Sequence, residues 1–278
     1  MSSANLEVRS PPRPPAARPG AGGRKQVPNI VYSVGAIVLL LVLWYAISHS
    51  SFVKPGYIPT PEELGKTFFD LVRDGYQGKP LYEHIGISLF RTLTGFLLGV
   101  IVGVPIGLLA GYSRRAGAMI SPIMAFIRPI PPIAFIPMAV LYFGLGEVGK
   151  IVLIFFVSFN YVQANAQAGA ASFPIAWRRA ASSLGLTRMQ TFTRIVMPGA
   201  LLQIFTGLKM ALALSWAVVV AAELVGAQSG LGFMISDAAL LFRIPVVYIG
   251  VVLIGAIGLL LNYTLNLVEG RIVHWKGR

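Results

Sequence analysis

The chain has 278 residues, 55% hydrophobic and only 12% charged, about half the charged fraction of an average soluble domain. With a mean hydropathy of +0.72 and repeated apolar stretches near the ~20 residues that cross a ~30 Å hydrocarbon core, this excludes an ordinary soluble fold and points to an integral membrane protein. No Cys is present among 23 Lys and Arg, 10 Asp and Glu and three His, so disulfides, thiolate chemistry and Cys-based metal sites are excluded, and scattered His offer no metal site of their own.

Residues 1–28 hold six Pro and five Lys or Arg with almost no large apolar side chain, the composition of a disordered tail. The remainder, 29–278, reads as one membrane domain. Its first apolar run, Ile30 to Ser48, exceeds a signal-peptide core and is read as a retained span. Five more spans follow: Ile87 to Tyr112, Met119 to Phe143, Ile151 to Ala171, Leu202 to Val225 and Val246 to Val268. Sorted by the intervening loops, 14 Lys and Arg and only Glu7 and Glu269 fall on the face shared by both termini, whereas the opposite face carries six basic and seven acidic residues. The positive-inside rule places both termini in the cytoplasm. Insertion alone requires this Arg pattern, so nucleic-acid binding is not needed to explain it.

In the loop after the first span, Thr60-Pro61-Glu62-Glu63 has the spacing of a capping box with Pro at the first helical position. Leu64, Phe68, Leu71 and Val72 recur behind it at helical spacing, which predicts a short amphipathic helix. In the second span Gly95, Gly99, Gly103, Gly107 and Gly111 lie four residues apart and form a small-residue ridge for close helix packing; Pro105 predicts a kink. The third span contains Arg128-Pro129-Ile130-Pro131-Pro132 and then Pro137, a proline density that breaks a helix. Irregular backbone at membrane depth is tolerated where it faces protein or a water-filled cavity, which makes Arg128, Pro129, Pro131 and Pro132 candidates for a translocation path or gate. An intramembrane Arg needs a partner, and Glu223 in the fifth span is the acid assigned to it, as an ion pair or a shared polar pathway. Gly144 to Lys150 fits both G-x-G-x-x-G and the start of a P-loop, but it joins two spans and Ile151 stands where a P-loop needs Ser or Thr, so both readings are rejected.

The stretch between the fourth and fifth spans, 174–198, is the most informative. Pro174 suits a helix start, Ala180 and Ala181 make a small face, Gly185 suits a helix end, and nine residues separate Gly185 from Ile195-Val196-Met197-Pro198. A short surface helix of this kind can dock into a groove of a soluble partner.

At these residues the sequence resembles the permease subunits of bacterial ABC importers, whose signature is E-A-A, three residues, G, nine residues, I-x-L-P. Arg179 stands where that family usually has Glu and Met197 where it has Leu, whereas Ala180, Ala181, Gly185, Ile195 and Pro198 match. Phe143-Gly144-Leu145-Gly146-Glu147, Ala221-Ala222-Glu223-Leu224 and Gly230-Leu231-Gly232-Phe233 extend the likeness to the taurine, aliphatic sulfonate and nitrate group, the taurine branch foremost. The resemblance implies an all-α, six-helix type I ABC importer transmembrane domain in the bacterial inner membrane. It implies a second permease copy, two ATP-binding subunits that hold ATP and Mg, and a periplasmic or lipid-anchored solute-binding protein. This chain would itself bind no cofactor or metal and catalyse no reaction. Arg179 to Gly185 would transmit ATPase closure, Gly230 to Asp237 is a candidate part of an outer gate, and the solute would be a small anion, taurine or another sulfonate first. Nitrate, an aromatic carboxylate or a cofactor precursor are alternatives, as is an ATP-independent secondary transporter or channel.

Overall fold

The computed structural model describes residues 29–50 and 56–274, so the expected disordered tail at 1–28 lies outside the described residues. Among the described residues every named element is helical. Helix α1 (Asn29–Ser48) forms a unit by itself, apolar on all sides as a lipid-facing span must be.

The second unit begins with α2 (Pro61–Asp74), whose start is fixed by the capping box: Glu63 N–H donates to Thr60 Oγ1 at 3.3 Å, and Thr60 N–H donates to Glu63 Oε2 at 3.0 Å. Helix α3 (Leu81–Tyr112) has 32 residues and runs on with Pro105 inside it; at 1.5 Å per residue it is about 48 Å long, longer than a hydrocarbon core. The expected third span is two helices, α4 (Arg114–Ile127) and α5 (Ile136–Phe143), bent by 85° around Arg128 to Pro131 and a short 3₁₀ turn, Pro132–Phe135. Helix α6 (Glu147–Ala171) returns across the unit. Then come two short helices, α7 (Ile175–Ser183) and α8 (Arg188–Thr191), and a π turn, Phe192–Val196, that leads without a gap into α9 (Met197–Leu224). The short α10 (Leu231–Leu240) and the long α11 (Ile244–Ile272) complete the order. By length and composition five helical stretches qualify as membrane spans, and six if the bent pair is one.

The principal pairing is α3 on α6, with α9 packed against α6 and also touching α3. Small residues explain it. A Cβ added at Gly107 would lie 2.5 Å from the carbonyl oxygen of Gln163 and 2.7 Å from Ala166 Cβ, and one at Gly95 would lie 2.6 Å from Ile154 Cβ. Gly99, Gly103 and Gly111 meet the successive turns of α6 at Ser158, Val162 and Ala170 in the same way. In lipid, where burying apolar surface gives helices no advantage over acyl chains, such backbone proximity supplies the dispersion that holds them together. One apolar cluster joins α2, α3, α6, α9, α10 and α11 around Ile154, Val219, Leu231 and Met234. Another joins α3, α6 and α9 near α7, around Ala166, Ala170, Val196 and Ala200.

Gly107→Val should lower stability by about 1–3 kcal/mol through overpacking, read as a lower melting temperature in detergent. Gly86→Ala in the same helix, where a new Cβ meets nothing within 4 Å, should not. Equal melting of the two variants would contradict the packing assignment.

Candidate functional site

The third turn of α3, the first turn of α6, the last turn of α9 and the loop into α10 meet around one guanidinium. Arg91 is 1% exposed. Its Nε and Nη2 donate to Glu147 Oε2 and Oε1 at 2.5 and 2.6 Å, a bidentate pair. Its Nη1 donates to Glu223 Oε1 at 2.7 Å and to the carbonyl of Ser229 at 2.8 Å. The Glu223 carboxylate is further held by Ser88 Oγ, 2.8 Å from Oε1, and by Gly232 N–H, 2.9 Å from Oε2. Ser88 in turn accepts from Leu231 N–H at 2.9 Å.

The glycines of the Gly230-Leu231-Gly232 loop are there to make room. Gly230 has φ +117°, a conformation that side-chain-bearing residues rarely adopt, and a Cβ on it would sit 2.5 Å from both Glu223 carboxylate oxygens. The loop is fixed from behind by buried His84, whose Nδ1 lies 3.2 Å from the Gly230 nitrogen and 3.3 Å from its carbonyl oxygen, while its Nε2 lies 3.2 Å from the Tyr76 carbonyl. Tyr76 donates to Asp237 Oδ2 at 2.7 Å, Gln77 Nε2 donates to the same oxygen at 2.9 Å, and Arg243 stacks over the Tyr76 ring. Burial, reinforced by the Asp237 carboxylate, pushes the Tyr76 phenol up to about 12.

Around Arg91 two helix ends and a loop thus converge on a charge without access to water. Glu147 alone is half exposed, and it lines a cavity of about 380 Å³ together with Lys79, Lys150, Gln228 and Ser229. Lys150 Nζ donates to the carbonyls of Leu145 and Gly146 at 2.6 and 3.2 Å, which anchors the loop before α6. The site is a network of ion pairs and hydrogen bonds. Its chemistry is a clasp: a single cation joins α3, α6, α9 and the α10 loop.

The expected pairing of Arg128 with Glu223 is not formed. Glu223 sits at the level of Glu147, whereas Arg128 donates to Gln163 Oε1 at 3.2 Å. Those two α6 residues are 16 positions, or about 24 Å, apart along the helix axis, beyond the reach of an Arg side chain. Arg128, Pro129 and Pro131 lie exposed at the α4–α5 break. Arg91 and Glu147 are the site residues that sequence reasoning did not assign; the available signal was an Arg within an apolar span, the same that drew attention to Arg128.

At the opposite end of the unit, α7 runs between Pro174 and Gly185, which takes φ +74°. Leu186 N–H closes back on the carbonyl of Ala181 at 3.0 Å and Gly185 N–H on that of Ser182 at 3.1 Å, a left-handed C-terminal cap. Ala181 is buried, Arg179 and Ala180 are exposed, and Ile195 is half-buried within the π turn before Pro198. Ile175, Trp177 and Leu184 project from this segment with 62–80% exposure.

A family model described as binding-protein-dependent transport system inner membrane component matches residues 103–274. The chain belongs to this family. It is 34% identical over 250 residues to the taurine transport system permease protein of Escherichia coli, covering 90% of this chain and 91% of the relative. It is 32% identical over 263 residues to the bicarbonate transport system permease protein of Synechococcus elongatus, covering 92% and 91%. Among solved structures, an inward-facing form of the MetNI methionine ABC transporter shares the fold, with a TM-score of 0.60 and 22% identity over 77% of this chain and 99% of that one. The family match contains Arg128, Glu147, α7 and Glu223 but begins after Arg91, so the clasp joins a residue outside the matched region to two within it.

Removing one partner from a buried pair leaves an uncompensated charge, which costs about 3–5 kcal/mol. Arg91→Met should therefore destabilise the protein by that order, and adding Glu223→Leu should restore much of it. Thermal unfolding of the purified variants checks this. A double variant as unstable as the sum of its singles would show that the two residues are not coupled.

Proposed function

We propose that the chain is the membrane-spanning permease subunit of an ATP-driven importer. It takes a small anion, taurine or another sulfonate first, from a solute-binding protein at the α10 end and releases it at the α7 end. Both termini are cytoplasmic in this reading, on the charge asymmetry of the loops. Two copies of the permease and two ATP-binding subunits make up the transporter; ATP and Mg are held and hydrolysed in those subunits, and this chain has no cofactor of its own.

The observation that carries the reading is α7. A nine-residue helix between two long spans, ended by a left-handed glycine and presenting Ile175, Trp177 and Leu184 to solvent, is poorly suited to standing alone in water. It is well suited to insertion in a groove of a soluble motor. Its chain neighbours are α6 and the α8–α9 run, so displacement of α7 as a rigid body pulls on α6, one side of the α3–α6 seam, and on α9, which packs against it. The clasp at Arg91 holds the far ends of α3, α6 and α9 together, so motion imparted at α7 opens or closes the α4–α5 break between them. Similarity to a taurine permease supports the sulfonate, and an exposed guanidinium at the break supports an anion. The bicarbonate permease relative favours a second reading, a small inorganic anion, which preserves every step except the identity of the solute.

Gly185→Val places a β-branched residue at φ +74°, which such residues do not tolerate. Solute-stimulated ATP hydrolysis by the reconstituted transporter should fall at least tenfold, while the amount of variant inserted in the membrane stays unchanged. Undiminished stimulation would contradict the coupling role.

A further inference from the structure

The α4–α5 break faces a polar stripe on α6 that the Arg91 clasp does not use. Phe156, Asn160, Gln163 and Gln167 are spaced four, three and four apart and share one face of the helix. Three of them touch the broken span. Phe156 packs its ring against Phe135 of the 3₁₀ turn, at 4.8 Å between centroids; Gln163 Oε1 accepts from Arg128 at 3.2 Å; Gln167 Nε2 donates to Ser121 Oγ at 2.7 Å, and Gln167 Oε1 accepts from Gln163 Nε2 at 3.0 Å. Asn160 lies between Phe156 and Gln163 and so faces the same break. It is 8% exposed, and its Nδ2 donates to the Phe156 carbonyl at 2.9 Å. Among the described residues its Oδ1 is the one buried side-chain polar atom without a hydrogen-bond partner.

An orphaned acceptor at membrane depth is costly, because neither lipid nor neighbouring helices satisfy it. One helical turn along lies Arg128, exposed, free of any ion pair among the described residues and with one of its five N–H groups engaged by Gln163. The i, i+3 spacing sets the Cβ atoms of Asn160 and of Gln163, which anchors the guanidinium, about 5–6 Å apart. This juxtaposition joins a donor fork for an oxyanion to a lone acceptor for an N–H group.

Resting on the sulfonate reading above, we infer that Arg128 and Asn160 form a station that reads a zwitterion, an aminosulfonate in which a two-carbon link joins sulfonate to ammonium. Arg128 takes the sulfonate and Asn160 Oδ1 accepts from the ammonium. An alkanesulfonate satisfies only the first contact and leaves the amide oxygen orphaned. The station therefore favours passage of an amino-bearing solute, independently of any choice made by the binding protein.

The test uses proteoliposomes holding the complete transporter, with the binding protein saturated by taurine or by ethanesulfonate so that delivery is not limiting. Asn160→Leu should lower the maximal taurine rate about tenfold relative to the ethanesulfonate rate, the loss of one charge-assisted hydrogen bond. Asn160→Asp should retain taurine uptake within about threefold and depress ethanesulfonate uptake more strongly, because the new carboxylate attracts the ammonium and repels a bare anion; it also carries the test should the leucine variant fail to assemble. A taurine-to-ethanesulfonate ratio unchanged in both variants would overturn the station while leaving sulfonate import standing. A wild-type transporter that moves neither sulfonate under ATP hydrolysis would overturn the sulfonate reading, and the station with it.

Discussion

A hydrocarbon environment offers no hydrogen bonds, so every charge taken into it must find its partner within the protein. Arg91 shows how this shapes the chain. Four of its five N–H groups are spent on two carboxylates and a carbonyl from separate elements, and those partners dictate their own surroundings: Ser88 and Gly232 N–H to complete the Glu223 carboxylate, a glycine loop slender enough to pass over it, His84 to hold that loop. One guanidinium thereby ties together α3, α6, α9 and α10. The glycine ridge of α3 performs the complementary task along the shaft of the unit, holding α3 and α6 at backbone distance where no charge is available.

The two devices divide the unit into a fixed end and a free one. At the clasp, polar atoms are paired and helix ends are locked. At the α7 end, short helices and a π turn replace a continuous rod, and large apolar side chains stand in solvent. The α4–α5 break lies between the two, with polar α6 side chains and an exposed Arg beside it. In the proposed mechanism a bundle tied at one end and pushed at the other opens and closes in the middle, where the irregular backbone and unspent polar groups are found.

Much of this was legible in the residues. Proline density at 129–132 gave the break, the four-residue glycine spacing marked the face of α3 that meets α6, Thr60 to Glu63 gave the start of α2, and the Ala-Ala, Gly and Pro spacing singled out 174–198. The ionic site was legible only in fragments. Glu223 is recognisable as an intramembrane acid, and the patterns around Glu147 and Gly230-Leu231-Gly232 carry family likeness, but nothing local states that all three surround Arg91, separated from them by 56, 132 and about 140 positions. Depth along a helix axis decides which charges meet, and depth depends on tertiary register rather than on motif. For the same reason sequence alone pairs Glu223 with Arg128 rather than with Arg91, and the orphaned Asn160 amide, defined by what surrounds it, leaves no trace in composition or spacing.

The central claim is that α7 lies on the cytoplasmic side and is gripped by the ATP-binding subunit. Because the chain has no Cys, Leu184→Cys introduces a single thiol on the exposed end of this segment. In inside-out vesicles that thiol should react with a membrane-impermeant maleimide and, with a short bifunctional reagent, cross-link to the ATP-binding subunit; in intact cells it should be protected. Labelling from outside intact cells, or no cross-link to the ATP-binding subunit under any nucleotide condition, would contradict the account.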